Sequence, residues 1–480
     1  MAAGALLTAS VALCAQAPGY WHTSGNQILD GAGKPVKIQG INWAGFESKD
    51  QIVGGLADQD YRQILHTIHA AGFNTVRLPF SNEMVESPIT HPFDHAPAGL
   101  NIELADLNSL QIMDRIISAA GTEGLKVILD DHRSDAGNSN QLNGLWYTSA
   151  YPESAWIADW ETLTRRYKDF TDAAGNPIVI AMDLRNEPYS MVNGQPIGAC
   201  WTGDTTTQGC PVTDIQRNWP QAAGRAAAAI LNINPNLLIV VEGVDCYSGS
   251  CNWQGGNLEG AGPYPVQLPF SGHLVYSAHD YGPIVSPQPW FRNDTTQGVL
   301  EDQWTKQWAY LSDGNVAPVW VGEFGTTNNP QDIENAQPGS QGQWFSALIQ
   351  FLGSHPRIGW AYWSVNPEDV SGLLSAKYGP PAPNSPKMAK LKSIETVPER
   401  PAGSAMKDVA AKAGAFFNAD EHPLRVKMIV GIVLAGVCVW LIVLLRRRKP
   451  PAPRRTGGNT YEETIGVPPA EPDDEDSEDE

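Results

Sequence analysis

Eight short apolar runs recur between positions 36 and 365, and most of the gaps between them show helical periodicity. The runs are Val36–Trp43, Phe73–Phe80, Leu125–His132, Ile178–Glu187, Leu237–Val244, His273–Tyr281, Pro318–Phe324 and Arg357–Val365. Their near-continuous apolar character suits strands buried on both faces, as in parallel sheets. Helix-patterned segments lie between them at Asp60–Ala71, Leu107–Glu123, Ser154–Phe170, Asp214–Leu231, Val299–Ser312 and Gln343–Ser354. Parallel strands need long crossovers, and helices supply them. No glycine-rich dinucleotide loop or Walker motif follows any strand, so an open doubly wound sheet loses its usual purpose. The expected fold class is α/β, a (β/α)8 TIM barrel over residues 18–395. Turn signals at Ser24-Gly25-Asn26 and Asp30-Gly31-Ala32-Gly33 place a small hairpin cap before the first strand.

The flanks have a different character. Residues 1–17 are short, apolar and small, and end in Ala15-Gln16-Ala17, which reads as a signal peptide with its cleavage site. A linker rich in Pro, Ala, Gly and Lys is expected over 396–425. A single transmembrane helix is expected over 426–445, where Met428–Leu445 is 18 residues without a charge. Arg446, Arg447, Arg448, Lys449, Arg454 and Arg455 follow it, against Arg425 and Lys427 before it. The positive-inside rule therefore places the tail, 446–480, in the cytoplasm and the barrel outside it. The tail is acidic and low in complexity, with Asp or Glu at eight of the last ten positions, and is expected to be disordered. The whole chain has a formal charge of −20, which argues against nucleic acid as a partner. Of six cysteines, Cys14 and Cys438 lie in the two terminal apolar segments. The other four pair by proximity as Cys200–Cys210 and Cys246–Cys251 if the barrel is exported.

A barrel enzyme places its chemistry at the C-terminal ends of its strands. Two of the runs end on glutamates there: Met182-Asp-Leu-Arg-Asn-Glu-Pro188 and Pro318-Val-Trp-Val-Gly-Glu-Phe324. Either alone reads as a capped strand end. Together, Glu187 and Glu323 are the two carboxylates that glycoside hydrolysis requires, one to protonate the leaving oxygen and one to meet the anomeric carbon. The two must differ in protonation, so their surroundings must differ. Arg77 and Tyr281 are the candidate partners of an ionised Glu323, while burial and the charge of Glu323 would keep Glu187 protonated. Asn186 is placed to hold a sugar hydroxyl. His132, His279 and Trp363 fall at the same end, although a lone strand-end His or Trp is more often packing. The 16 tryptophans are mostly core on the same reasoning, but flat faces also stack on sugars, and Trp43 and Trp253 join the substrate-binding candidates. No paired His or Cys spacing suggests a metal, and no cofactor is expected.

These stretches resemble glycoside hydrolase family five, and within it the bacterial endo-β-1,4-glucanases. The likeness is carried by Gly19-Tyr-Trp-His-Thr-Ser-Gly25, Gly40-Ile-Asn-Trp43, Asn74-Thr-Val-Arg-Leu-Pro79, Leu145-Trp-Tyr-Thr-Ser149, Val241-Glu-Gly-Val244, Tyr276-Ser-Ala-His-Asp-Tyr281 and Val321-Gly-Glu-Phe-Gly-Thr-Thr327. It runs from about Tyr20 to Ile394. The resemblance implies Glu187 as acid/base and Glu323 as nucleophile with retention of configuration. It also implies site roles for Arg77, His132, Asn186, His279, Tyr281 and Trp363. A relative with a Trp pair at positions 253 and 254 differs from Trp253-Gln254 here, so a stacking platform is expected to be missing. The implied partner is a β-1,4-linked glucan or oligosaccharide. A β-mannanase, mixed-linkage glucanase or xyloglucanase is the enzymatic alternative, and a non-catalytic sugar-binding receptor is the alternative of another class.

Overall fold

The computed structural model describes residues 18–396, apart from 94–98, 140 and 206–208. The expected signal peptide, nearly all of the linker, the membrane span and the acidic tail lie outside the described residues. Among the described residues, no helix is long and apolar enough to cross a membrane.

Eight parallel strands close into a barrel: β1 (Gln39–Asn42), β2 (Thr75–Ser81), β3 (Lys126–Arg133), β4 (Val179–Asp183), β5 (Leu238–Glu242), β6 (Leu274–His279), β7 (Val319–Phe324) and β8 (Gly359–Tyr362). β8 pairs with β1 in the register Trp360 to Gln39 and Tyr362 to Ile41, which completes the ring. Helices follow seven of the eight strands: α1 (Tyr61–Ala70), α2 (Ser109–Glu123), α3 (Glu153–Tyr167), α4 (Trp219–Ile233), α5 (Gln297–Trp304), α6 (Gln341–Ser354) and α7 (Pro386–Lys392). After α5 the chain continues through a π turn, Thr305–Ala309, to Asp313. The crossover from β5 to β6 has no helix among the described residues. It is a loop carrying a two-stranded hairpin, Cys246–Tyr247 with Ser250–Cys251.

Local sequence explains the helix boundaries. Asp60 caps α1 by accepting from the Arg62 N–H. Asn108 and Gln111 form a reciprocal capping box at the start of α2, and Gly124 ends that helix at φ 83°, a conformation that costs glycine least. The strands alternate inward and outward residues. Outward Val127, Leu129, Ile239, Val241 and Val321 pack under the helices, while Ile128, Leu238, Val240, Val275, Trp320 and Ala361 form a separate apolar layer with Trp21 and Ile28. Those last two come from the N-terminal three-stranded antiparallel sheet, His22–Ser24, Gln27–Leu29 and Pro35–Val36. The cap expected from the turn signals therefore packs on the barrel's inner apolar layer. Towards the strand ends the inward positions become polar: Arg77, Asp130, Asp183, Glu242 and His279 are all fully buried.

Candidate active site

Arg77, on β2, reaches across the barrel interior. Its Nε donates to Asp183 Oδ2 at 2.8 Å, and its Nη1 donates to Glu323 Oε1 at 2.6 Å and to Asn42 Oδ1 at 3.0 Å. Its Nη2 donates to Asn186 Oδ1 at 3.0 Å and Glu242 Oε1 at 3.1 Å, and lies 3.0 Å from Asp130 Oδ1. One rigid five-donor fork thus ties β1, β3, β4, β5 and β7 together. Burial acts to raise both Asp183 and Asp130 beside it. For Asp183 burial wins, reinforced by Glu242 and Asp130, and its carboxyl is pushed well up. For Asp130 the neighbouring Arg77 and His132 outweigh burial and hold it below the ordinary value.

Glu323 closes β7 and Tyr281 lies just beyond β6. The tyrosine hydroxyl donates to Glu323 Oε2 at 2.9 Å, so each oxygen of Glu323 has its own donor. Burial raises the Tyr281 hydroxyl well above its ordinary range, and the Glu323 and Glu187 charges add to this, which keeps it a donor.

Glu187 lies four residues beyond the last ladder residue of β4. The chain climbs through Leu184–Asn186 on bonds to its neighbours, Leu184 N–H to the Val240 carbonyl at 3.1 Å and Asn186 N–H to the Asp131 carbonyl at 2.9 Å. Glu187 itself has φ 50°, and its N–H donates to Glu242 Oε2 at 2.7 Å. A left-handed non-glycine residue is uncommon and is held here by that buried acceptor. Its Oε1 meets Trp253 Nε1 at 2.6 Å and His279 Nδ1 at 3.0 Å. Burial lifts the Glu187 carboxyl above the ordinary carboxylate range, and Glu323 and Glu242 add to the lift against the His279 hydrogen bond. His279 is opposed by burial but flanked by Glu242 at 3.2 Å, Glu187 and Glu323, and is raised well above the usual imidazole value. One carboxylate oxygen each of Glu187 and Glu323 and one ring nitrogen of His279 lie within 4.8 Å of one another.

His132 and Trp363 complete the floor. Asp130 Oδ2 holds His132 Nδ1 at 2.7 Å, and this contact raises the imidazole despite burial. The two rings stack at 5.6 Å with 18° between planes. Trp363 is half-buried, and its Nε1 donates to Asp369 Oδ2 at 2.9 Å. Asp130, Asp183 and Glu242 also cluster within 4.8 Å, but the cation among them is the protein's own Arg77.

A match to the family Cellulase (glycosyl hydrolase family 5) spans residues 29–369. The chain belongs to that family. It is a glycoside hydrolase. An endoglucanase of Paenibacillus polymyxa is 42% identical over 366 residues, covering 75% of this chain and 83% of that protein. Endoglucanase G of Acetivibrio thermocellus is 32% identical over 76% of this chain and 70% of its own length. Among solved structures, a hyperthermophilic endocellulase from Pyrococcus horikoshii superposes with a TM-score of 0.67 at 31% identity, covering 79% of this chain and 99% of that one. A further structure of the Pyrococcus horikoshii endocellulase is its complex with cellotetraose.

Within this family member, the structure gathers Glu187, Glu323, Arg77, His132, Asn186, His279, Tyr281, Trp253 and Trp363 at one end of the barrel. Trp43 is a correction. Its ring is fully buried in the core and its Nε1 donates to the Gly54 carbonyl at 3.0 Å, so it has no face for a sugar. Trp253 is present at the site, but its indole nitrogen is engaged with the acid/base candidate. Of the tryptophans in the described residues, only Trp253, Trp290 and Trp363 are not buried. Sequence reasoning missed Asn42, Asp130, Asp183 and Glu242. For the three acids the available signal was a carboxylate at an inward position of an otherwise apolar strand, two residues before His132 in the case of Asp130. Both expected disulfides, Cys200–Cys210 and Cys246–Cys251, are formed.

Proposed function

We propose that the barrel is a retaining endo-β-1,4-glucanase in which Glu323 is the nucleophile and Glu187 the acid/base. The observation that carries this reading is the approach of the two carboxylates within 4.8 Å, oxygen to oxygen. Retaining enzymes hold their carboxyl groups about 5–5.5 Å apart, whereas inverting ones leave about 6.5–9.5 Å for a water. Glu323, held by Arg77 and Tyr281, attacks the anomeric carbon while Glu187 gives its proton to the departing glycosidic oxygen. Glu187 then takes a proton from the water that releases the sugar from Glu323. Asn186, whose carbonyl is occupied by Arg77, presents its amide to the sugar 2-hydroxyl. The half-exposed face of Trp363 stacks on the glycone.

The substrate assignment draws on the relatives named endoglucanases and on the cellotetraose complex of the Pyrococcus horikoshii enzyme. Export through residues 1–17 and anchoring through 426–445, with the barrel outside and the tail in the cytoplasm, is the reading that the flanking sequence supports. The decisive experiment combines Glu323→Ala with wild-type product NMR. The variant should lose at least about four orders of magnitude in turnover, given how much covalent chemistry it removes. The first product formed by the wild type should carry the β configuration. An α product, or an active Glu323→Ala, would sink the assignment. Parallel assays on carboxymethylcellulose, glucomannan, mixed-linkage glucan and xyloglucan separate the glucanase from its enzymatic alternatives.

A further inference from the structure

The helix-free crossover from β5 to β6 has a specific product: it delivers Trp253 to the acid/base. The Cys246–Cys251 hairpin leads directly into Asn252 and Trp253. Asn252 Oδ1 accepts the Trp253 backbone N–H at 2.7 Å, and Asn252 Nδ2 donates to Gln307 Oε1 at 2.7 Å. The indole meets the Tyr281 ring edge-on at 5.6 Å. Behind it, Gly255 (φ 73°) passes so close to Glu187 that a Cβ there would lie 2.6 Å from Glu242 Oε2 and 3.3 Å from Glu187 Cα. The loop therefore fits against the acid/base with no room to spare.

What the loop presents is a single N–H. Trp253 Nε1 lies 2.6 Å from Glu187 Oε1, and His279 Nδ1 lies 3.0 Å from that same oxygen. An indole nitrogen can only donate, and a carboxylate oxygen can only accept, so the His279 nitrogen that meets Glu187 Oε1 is the protonated Nδ1, while Nε2 lies 3.2 Å from Glu242 Oε1 without a hydrogen bond. Two donors on one oxygen match the two lone pairs that a carboxylate oxygen offers. A proton placed there would have to displace one of them.

We propose that Trp253 is a positioning residue for Glu187: with His279 it saturates Oε1, and so confines the exchangeable proton to Oε2. This rests on Glu187 being the acid/base. In the first half-reaction the Oε2–H bond breaks and its proton passes to the glycosidic oxygen, as the anomeric C–O bond breaks and Glu323 bonds to that carbon. In the second, a water O–H proton passes to Oε2 as the water oxygen bonds to the carbon and the Glu323 ester bond breaks. Between the two, Glu187 is a carboxylate, and the Trp253 N–H stabilises that form.

The test is Trp253→Phe, which keeps a ring and removes the donor. The groups facing Glu187 are His279 on β6, Glu242 on β5 and Glu323 on β7, with Arg77 and Tyr281 bonded to Glu323; all remain. A lost donor disfavours the carboxylate, so the loss of kcat/KM at high pH should move upward by about one pH unit on 4-nitrophenyl cellobioside. Benzothienylalanine inserted at 253, which swaps the N–H for sulfur in the same outline, should give the same shift even if Phe loosens the loop. A high-pH limb that stays where the wild type has it in both variants would overturn the proposal and leave Trp253 a packing or stacking residue. Full turnover by Glu187→Gln would instead overturn the acid/base assignment, and this inference with it.

Discussion

Removing Arg77 would leave Asp130, Asp183, Glu242 and Glu323 buried around an empty centre, because its guanidinium is the cation that all four share. Breaking a buried ion pair by deleting one partner costs about 3–5 kcal/mol, since the uncompensated charges remain out of water. Arg77→Met should therefore lower the unfolding free energy by at least about that amount, measured by urea denaturation. Glu323→Gln, which removes one of four carboxylates, keeps the shape and leaves Arg77 paired with the other three, should cost less than Arg77→Met. Equal stability of the two variants would show that Arg77 serves only the nucleophile. At this scale the sequence named the residues that end the strands and missed those one layer down. Glu187 and Glu323 stand out because each follows an apolar run. Asp130, Asp183 and Glu242 lie within runs, and their meaning depends on which way alternate residues point.

Elements were legible where a local rule operates. All eight runs became strands, and the six helix-patterned segments became helices, because a short continuous apolar run and a longer segment with a 3.6-residue period differ in length and pattern. Asn108 and Gln111 show the same locality, and Asn108→Ala should cost about 1 kcal/mol in thermal stability while leaving activity unchanged. An unaltered melting temperature would mean that tertiary packing, not the cap, sets the start of α2. The last residues of β4 were not legible. The apolar run from Ile178 predicts a strand through Glu187, but the ladder ends at Asp183. Beyond it, side-chain and backbone acceptors from β3 and β5 determine the path, and those acceptors are far off in the chain, Glu242 being 55 residues from Glu187. The gap between β5 and β6 differs: it carries no helical pattern in the sequence, and in the fold a hairpin and a disulfide organise a loop crossover there.

For the whole molecule, an anchor at 426–445, as proposed, would set which substrate the barrel can reach. A linker of the length between Glu395 and Met428 would span at most about 110 Å fully extended, and about 30 Å if it were a flexible coil. A barrel tethered at that range would meet soluble glucan rather than travel along a fibre. Protease added to intact cells or spheroplasts should release active barrel by cutting between Pro398 and Pro423. The released enzyme should hydrolyse carboxymethylcellulose far faster than crystalline cellulose; comparable rates per mole, or release of the Tyr461 tail instead, would reject this reading. By itself the sequence determined the barrel, its two glutamates, both disulfides and most of the residues around them. Each of those follows from hydrophobic periodicity, from strand-end position or from short-range spacing. Only the tertiary structure decided that Trp43 is core and Trp253 a hydrogen-bond donor to Glu187, and that one arginine serves four carboxylates. Those depend on which residues, far apart in the chain, converge inside a closed ring of strands, and closure is a property of all eight at once.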